Sequence, residues 1–148
     1  MSMTSTERRA GTGVAGVAVS SKPQDLYLEL PKVEGLDEGQ GVVVLIGSRS
    51  LGEPDGETGR RLMGLFLGCL TEMPSVVRAV VLVNDGVRLA GEGSGALHVL
   101  ETLRGQGTQV ICCTNSCSHL NVDPIVGYRA GMMHIAETLL GASKVITL

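Results

Sequence analysis

Three short apolar runs constrain this chain more than any other feature: "VVVLIGS" (Val42–Ser48), "RAVVLVN" (Arg78–Asn84) and "TQVICC" (Thr108–Cys113). Each is nearly unbroken by polar residues and gives way to a stretch of Gly, Ser, Asn or Asp. A strand with one wet face alternates apolar and polar residues, whereas a strand covered on both faces has no such rhythm. The runs therefore predict the interior of a parallel sheet enclosed by helices.

Helical spacing occupies the intervals. Asp55 is a suitable N-cap and Glu57 follows in the first turn, where the helix dipole favours it. Leu62, Phe66, Cys69, Leu70 and Met73 then recur on one predicted face, in a helix that runs to about Thr71 and that Pro74 keeps from continuing. A second helix starts near Ser94, buries Leu97, Leu100 and Leu103, and stops at Gly105. Tyr128–Leu140 is expected as the last helix, with Met132, Ile135, Ala136 and Leu139 on one side, before a final strand "KVITL". This alternation implies right-handed crossovers. The expected architecture over residues 41–148 is a three-layer α/β/α domain with a mainly parallel sheet of about five strands. Residues 1–40 read as a disordered leader and linker, with a short edge strand at "DLYLEL" (Asp25–Leu30).

Composition narrows the function classes. Only 2% of the 148 residues are aromatic and none is Trp, so the stacking platforms of a nucleic-acid binder are missing. The net charge is −3 and no Lys/Arg run exceeds two residues, which leaves no polyanion footprint. No apolar run approaches the roughly 18 residues of a membrane helix. Arg8 and Arg9 ahead of "AGTGVAGVAVSS" imitate a signal peptide only faintly, because the centre is too rich in Gly. The expected setting is cytoplasmic, where clustered cysteines are catalytic or metal-binding more often than structural. The 43% hydrophobic content and a mean hydropathy of +0.25 in so small a chain point to extra buried surface between subunits.

Ligands of an open α/β sheet lie beyond the carboxyl ends of its strands. Three loops leave such ends: Ser48–Asp55, Asn84–Ser94 and Cys113–Val122. The Gly-rich loops contain neither GxxxxGK[ST] nor GxGxxG, so their glycines are read as shaping turns, and no cofactor is expected. The last loop carries "CCTNSCSHL", with Cys112, Cys113, Cys117 and His119 close together. Cys112 and Cys113, adjacent at a strand end, must face opposite sides of the sheet. Cys69, on a helix, is expected in the core. Four readings remain open for the cluster: inert packing, a zinc site on Cys113, Cys117 and His119, a short Cys113–Cys117 disulfide, and a nucleophilic or sulfur-carrying thiolate. The C-x3-C-x-H spacing lacks the distant second ligand pair of structural zinc sites, and no metal is assigned. A working thiolate requires partial exposure and a lowered pKa. The residues available to such a thiolate are Cys113, Cys117 and His119, the last as an orienting group. Ser48, Asn84, Gly86, Asn115 and Ser116 are assigned to the substrate crevice. His98 and His134 are read as structural or solvated.

The stretches "GSRSLGEPDGETGRRLMGLFLGCLTE", "NDGVRLAGEGSGALHVLETLRGQGTQVICCTNSC" and "ETLLGASKVITL" resemble the DsrE-like domain at the C-terminal end of YedF proteins. That family is described as sulfurtransferase-like and linked to selenium metabolism. The resemblance spans nearly everything after residue 41, and "QDLYLEL" is similar to the connector that precedes this domain. It implies a DsrE/DsrF-type α/β fold, relay of sulfane sulfur as a cysteine persulfide, protein donors and acceptors, and assembly as a dimer, trimer or hexamer. Two departures stand out. The TusA-like domain usual at the N-terminal end of YedF proteins is replaced by about 40 residues without cysteine, so a TusA-like partner would come from another chain. The family's Cys-Gly-Thr-Cys becomes "CTNSC", with Cys113 matching the first cysteine, Ser116 at the place of the second and Cys117 one place later. The resemblance thus implies Cys113 as the sulfur carrier and leaves Cys117 without a clear redox role.

Overall fold

The computed structural model describes residues 41–52 and 56–148, and the strand expected at Asp25–Leu30 lies outside them. Among the described residues there are five strands: β1 (Val42–Ile46), β2 (Val77–Leu82), β3 (Gln109–Cys113), β4 (Tyr128–Ala130) and β5 (Lys144–Thr147). All pair in parallel, in the order β4-β3-β2-β1-β5. Four helices join them: α1 (Glu57–Leu70), α2 (Leu97–Gly105), α3 (Thr114–Leu120) and α4 (Met132–Leu140), with a 3-10 helix at Asn84–Ala90.

The apolar runs became strands because both of their faces are covered. Val42, Val44, Ile46, Val80, Leu82, Val110 and Cys112 pack beneath α1 and α2, against Met63, Leu67, Leu100 and Leu103. Val43, Ala79, Val81, Ile111 and Cys113 face the other way, toward Ile135 of α4. Successive residues thus enter separate cores, as the pleat requires. From β1 to β4 the chain advances one position at a time, and α4 then carries it back across the sheet to β5. Among the described residues two helices therefore cover most of one face while a single nine-residue helix crosses the other.

Several elements differ from expectation. In α1 the buried positions are Gly59, Met63, Leu67 and Leu70, whereas Leu62 and Cys69 are exposed. The helix has apolar residues on more than one side, and contact with the loop before it decides its rotation. A Cβ at Gly59 would lie 2.7 Å from Ser50 Oγ, so this glycine marks the side that lies against the loop. Asp55 lies outside the described residues; the N-cap is Gly56, and Glu57 does lie in the first turn. The last helix begins at Met132 rather than Tyr128, because Tyr128–Ala130 pairs with Ile111–Cys113 as an edge strand. There the unpaired backbone of β3 outweighs helical periodicity. The loops expected after β2 and β3 fold into the 3-10 helix and α3. Among the described residues no helix is long and apolar enough to cross a membrane.

Candidate functional site

The carboxyl ends of β2 and β3 lie side by side, and the segments leaving them meet. Asn84, with φ +50, takes a left-handed turn out of β2. Two residues later Gly86 sits so near the Ile46 carbonyl oxygen that any Cβ there would overlap it. This contact seats the 3-10 helix on the end of β1. On the β3 side, Cys113 is the N-cap of α3, which ends at Asn121 in the left-handed conformation (φ 58) while Val122 N donates to the Cys117 carbonyl at 2.9 Å. The two segments are joined by the Asn84 backbone N–H, which donates to Ser116 Oγ at 2.8 Å. Between them a cleft of about 340 Å³ is lined by Asn84, Asp85, Asn115, Ser116, His119 and Leu120. A second cleft, of about 360 Å³, opens at the other end of β3 and β4 among Gln109, Gly127 and Tyr128. Neither lining includes a cysteine, but the first contains Asn115 and Ser116, which lie between Cys113 and Cys117 in the chain.

The three clustered thiols have different environments. Cys112 lies under the α1/α2 layer, and burial pushes its pKa up to about 12. Cys117, on the inner side of α3, is also buried, and burial raises it despite the neighbouring Arg129 guanidinium. Cys113 moves the other way. Burial works to raise its pKa, but the Ser116 hydroxyl and the backbone amides of Ser116 and Asn115 favour the thiolate and together hold the pKa below the ordinary thiol value. Cys113, the N-cap of α3, makes no side-chain cap hydrogen bond.

Asn84, Asn115, Ser116 and His119 come together in the lining, and Cys112 and Cys113 do face opposite sides of the sheet. Other expectations need correction. The Cys113 residue is only 4% exposed, not open to the crevice, because its side chain turns toward the α4 layer beside Ala130. Gly86 is buried against β1 and Ser48 Oγ accepts from Ser50 N at 3.0 Å; neither lines the cleft. Cys69 is exposed rather than core. All four cysteines are free, so Cys113 and Cys117 form no disulfide in this structure. Among the described residues no three His, Cys, Asp or Glu side chains converge as a metal-ligand group.

Sequence reasoning passed over Asp85 and Leu120. The Asp85 carboxylate binds Arg49 Nε at 3.2 Å and Arg88 Nε at 3.2 Å, and also accepts from Arg49 N at 3.1 Å. Burial opposes its ionisation, but these bonds and the two guanidinium charges outweigh it and hold the carboxyl below its usual range. Asp85 therefore ties the loop after β1 to the wall of the cleft. The i,i+3 spacing of Asp85 and Arg88 was a visible signal; the tie to Arg49, 36 residues away, was not.

No protein-family model matches this chain, and no curated protein matches it. Solved structures do. One is the ychN protein from E. coli, 22% identical, with a TM-score of 0.56 over 73% of this chain and 99% of that one. Another is MTH1491, a protein of unknown function from Methanobacterium thermoautotrophicum, 23% identical, with a TM-score of 0.54 over 72% and 97% of the two chains. At these identities the likeness concerns the fold, an α/β domain with an all-parallel five-stranded sheet.

Proposed function

We propose that this protein is a sulfurtransferase-like sulfur carrier of the YedF type, acting in the cytoplasm, with Cys113 as the sulfur-bearing atom. The observation that carries the reading is the electrostatic setting of Cys113. Of the three clustered thiols, only this one is pushed toward ionisation, and its neighbours Asn115 and Ser116 line the cleft between α3 and the 3-10 helix. The chemistry needs little else. The Cys113 thiolate attacks the outer sulfur of a donor protein's cysteine persulfide. A new S–S bond forms, the donor's S–S bond breaks, and the donor cysteine leaves as a thiolate. In the second half an acceptor thiolate, supplied by a TusA-like protein for example, takes the outer sulfur and Cys113 leaves as the thiolate. Because Cys113 is nearly covered, transfer requires its side chain to rotate toward the cleft. His119, exposed in the lining, and Asn115 would orient the incoming persulfide.

Intact mass after incubation with a cysteine desulfurase and free cysteine tests this reading. Wild type is expected to gain one or more sulfur atoms, removable by reductant, and Cys113→Ser to gain none. No gain on wild type, or an equal gain on the variant, overturns it.

A second reading, a non-catalytic oligomeric binding module, is favoured by a different observation. Met133 is 75% and Leu140 87% exposed on α4, which among the described residues is the only helix over its face of the sheet, and a further copy of the chain could cover that apolar surface. The carrier reading also includes such a homo-oligomer. The two readings separate on Cys113: the module predicts an unreactive thiol in a stable assembly.

A further inference from the structure

The sheet has an open edge at β5 with an apolar border. β5 ends the strand order and pairs only with β1, so its outer edge carries backbone N–H and C=O groups that have no strand partner among the described residues. The helix nearest that edge on its layer is α1, which joins β1 to β2, whereas α2 joins β2 to β3. Leu62, Leu65, Phe66 and Cys69 form a stripe along α1 at i, i+3, i+4 and i+7. Leu62 is 43% and Leu65 59% exposed, Cys69 is exposed and Phe66 is only partly buried. The stripe lies on the side of α1 away from α2. Thr71, whose carbonyl accepts Gln106 Nε2 at 3.0 Å from the end of α2, comes about two and a half turns after Leu62 and so on the opposite side of the helix. In β5, Ile146 packs against the same core as α1, while Val145 is in register with Val43 on the other face.

The chain itself contains a segment of matching pattern. In an extended conformation "DLYLEL" (Asp25–Leu30) has Leu26, Leu28 and Leu30 on one face and Asp25, Tyr27 and Glu29 on the other. Only residues 31–40 separate it from Gly41, and Gly41 is fixed beside the start of β5. Its carbonyl accepts Ser143 N at 3.0 Å and Ser143 Oγ at 2.7 Å, and its φ of +67 turns the chain sharply there. A strand outside β5 and antiparallel to it would bring Leu30 to the amino end of β5. From there Gly41 is two strand spacings away, about 10 Å, a distance that residues 31–40 cross with slack. A parallel strand would need a crossover back along the sheet, which takes about a dozen residues or more.

We propose that Asp25–Leu30 docks as an antiparallel sixth strand on the free edge of β5, with Leu26, Leu28 and Leu30 toward the α1 stripe and Tyr27 on the face of Val145. The docked segment supplies backbone partners to β5 and covers the side of α1 on which Cys69 lies. This interaction does not depend on the chemistry of Cys113.

Cys69 is the natural reporter. The full chain is alkylated with iodoacetamide under reducing conditions and Cys69 is followed by peptide mass mapping. Wild type is expected to react roughly tenfold more slowly than the double variant Leu26→Asp, Leu28→Asp, and at a rate independent of protein concentration. Equal rates overturn the proposal. Protection that grows with protein concentration assigns the stripe to a second copy of the chain, and protection that appears only when another protein is added assigns it to a foreign partner; either result overturns it as well. If the double variant does not fold, amide hydrogen exchange on wild type decides. About half of the amides of residues 26–30 are expected to exchange slowly, as in an edge strand bonded on one side, and exchange of all of them at unfolded-chain rates overturns the docking.

Discussion

Cys112, Cys113 and Cys117 are one residue type in three electrostatic settings, and the differences have measurable consequences for stability. The Cys112 side chain is fully buried, with its pKa pushed up to about 12, against about 8.5 for a thiol in water. The folded chain therefore holds that proton more tightly than the unfolded chain. The resulting stability is complete below about pH 8.5 and is lost as pH rises toward 12. Near pH 10.5 the loss reaches roughly 2–3 kcal/mol. Urea unfolding at pH 8 and pH 10.5 measures it, and Cys112→Val, which keeps a small apolar side chain without a titrating proton, is expected to flatten the dependence. Cys113 has the opposite sign: its depressed pKa adds stability above the ordinary thiol range, and that share is lost as pH falls through its folded value.

At the scale of elements, α4 depends on a cap from outside itself. Arg78 of β2 donates from Nη2 to the Thr138 carbonyl at 3.2 Å and from Nη1 to the Gly141 carbonyl at 3.3 Å. These are the carbonyls that a helix leaves unpaired at its C-terminal end, where a cation also suits the dipole. Burial lowers the Arg78 pKa, but it remains charged at any pH the fold experiences. Arg78→Met is expected to cost about 1–2 kcal/mol. Amide exchange should rise first in the last turn of α4, while α1 and α2 keep their protection. A uniform rise over the whole sheet would instead indicate damage to β2. The same cap anchors α4 over the face that holds Cys113, so its loss is expected to quicken Cys113 alkylation as well.

For the whole molecule, the unequal covering of the sheet is the main consequence of strand order. Among the described residues β1 to β4 are laid down in one direction with a single return crossover, so one face receives α1 and α2 and the other only α4. That leaves Met132, Met133 and Leu140 of α4 exposed, with Val145 of β5 partly so. Sedimentation at micromolar concentration is expected to give a homo-oligomer, and Met133→Glu with Leu140→Glu to return it to a monomer with an unchanged far-ultraviolet circular dichroism spectrum. A wild-type monomer at those concentrations would count against the assembly.

The apolar runs made the parallel sheet legible in the chain itself, because continuous burial on both faces leaves a local signature that needs no partner to be read. The opposite facing of Cys112 and Cys113 followed from the pleat in the same way. What the chain could not disclose depended on contacts between distant segments. The rotation of α1 turned on Gly59 meeting Ser50, and Tyr128–Ala130 left the helix because β3 had an open edge to fill. The depth of Cys113 depended on α4 above it, and the wall of the neighbouring cleft on Asn84 reaching Ser116, 32 residues away. Local pattern determines which segments can be buried; only the assembled fold determines which neighbours meet there, and a thiol's reactivity is a property of those neighbours.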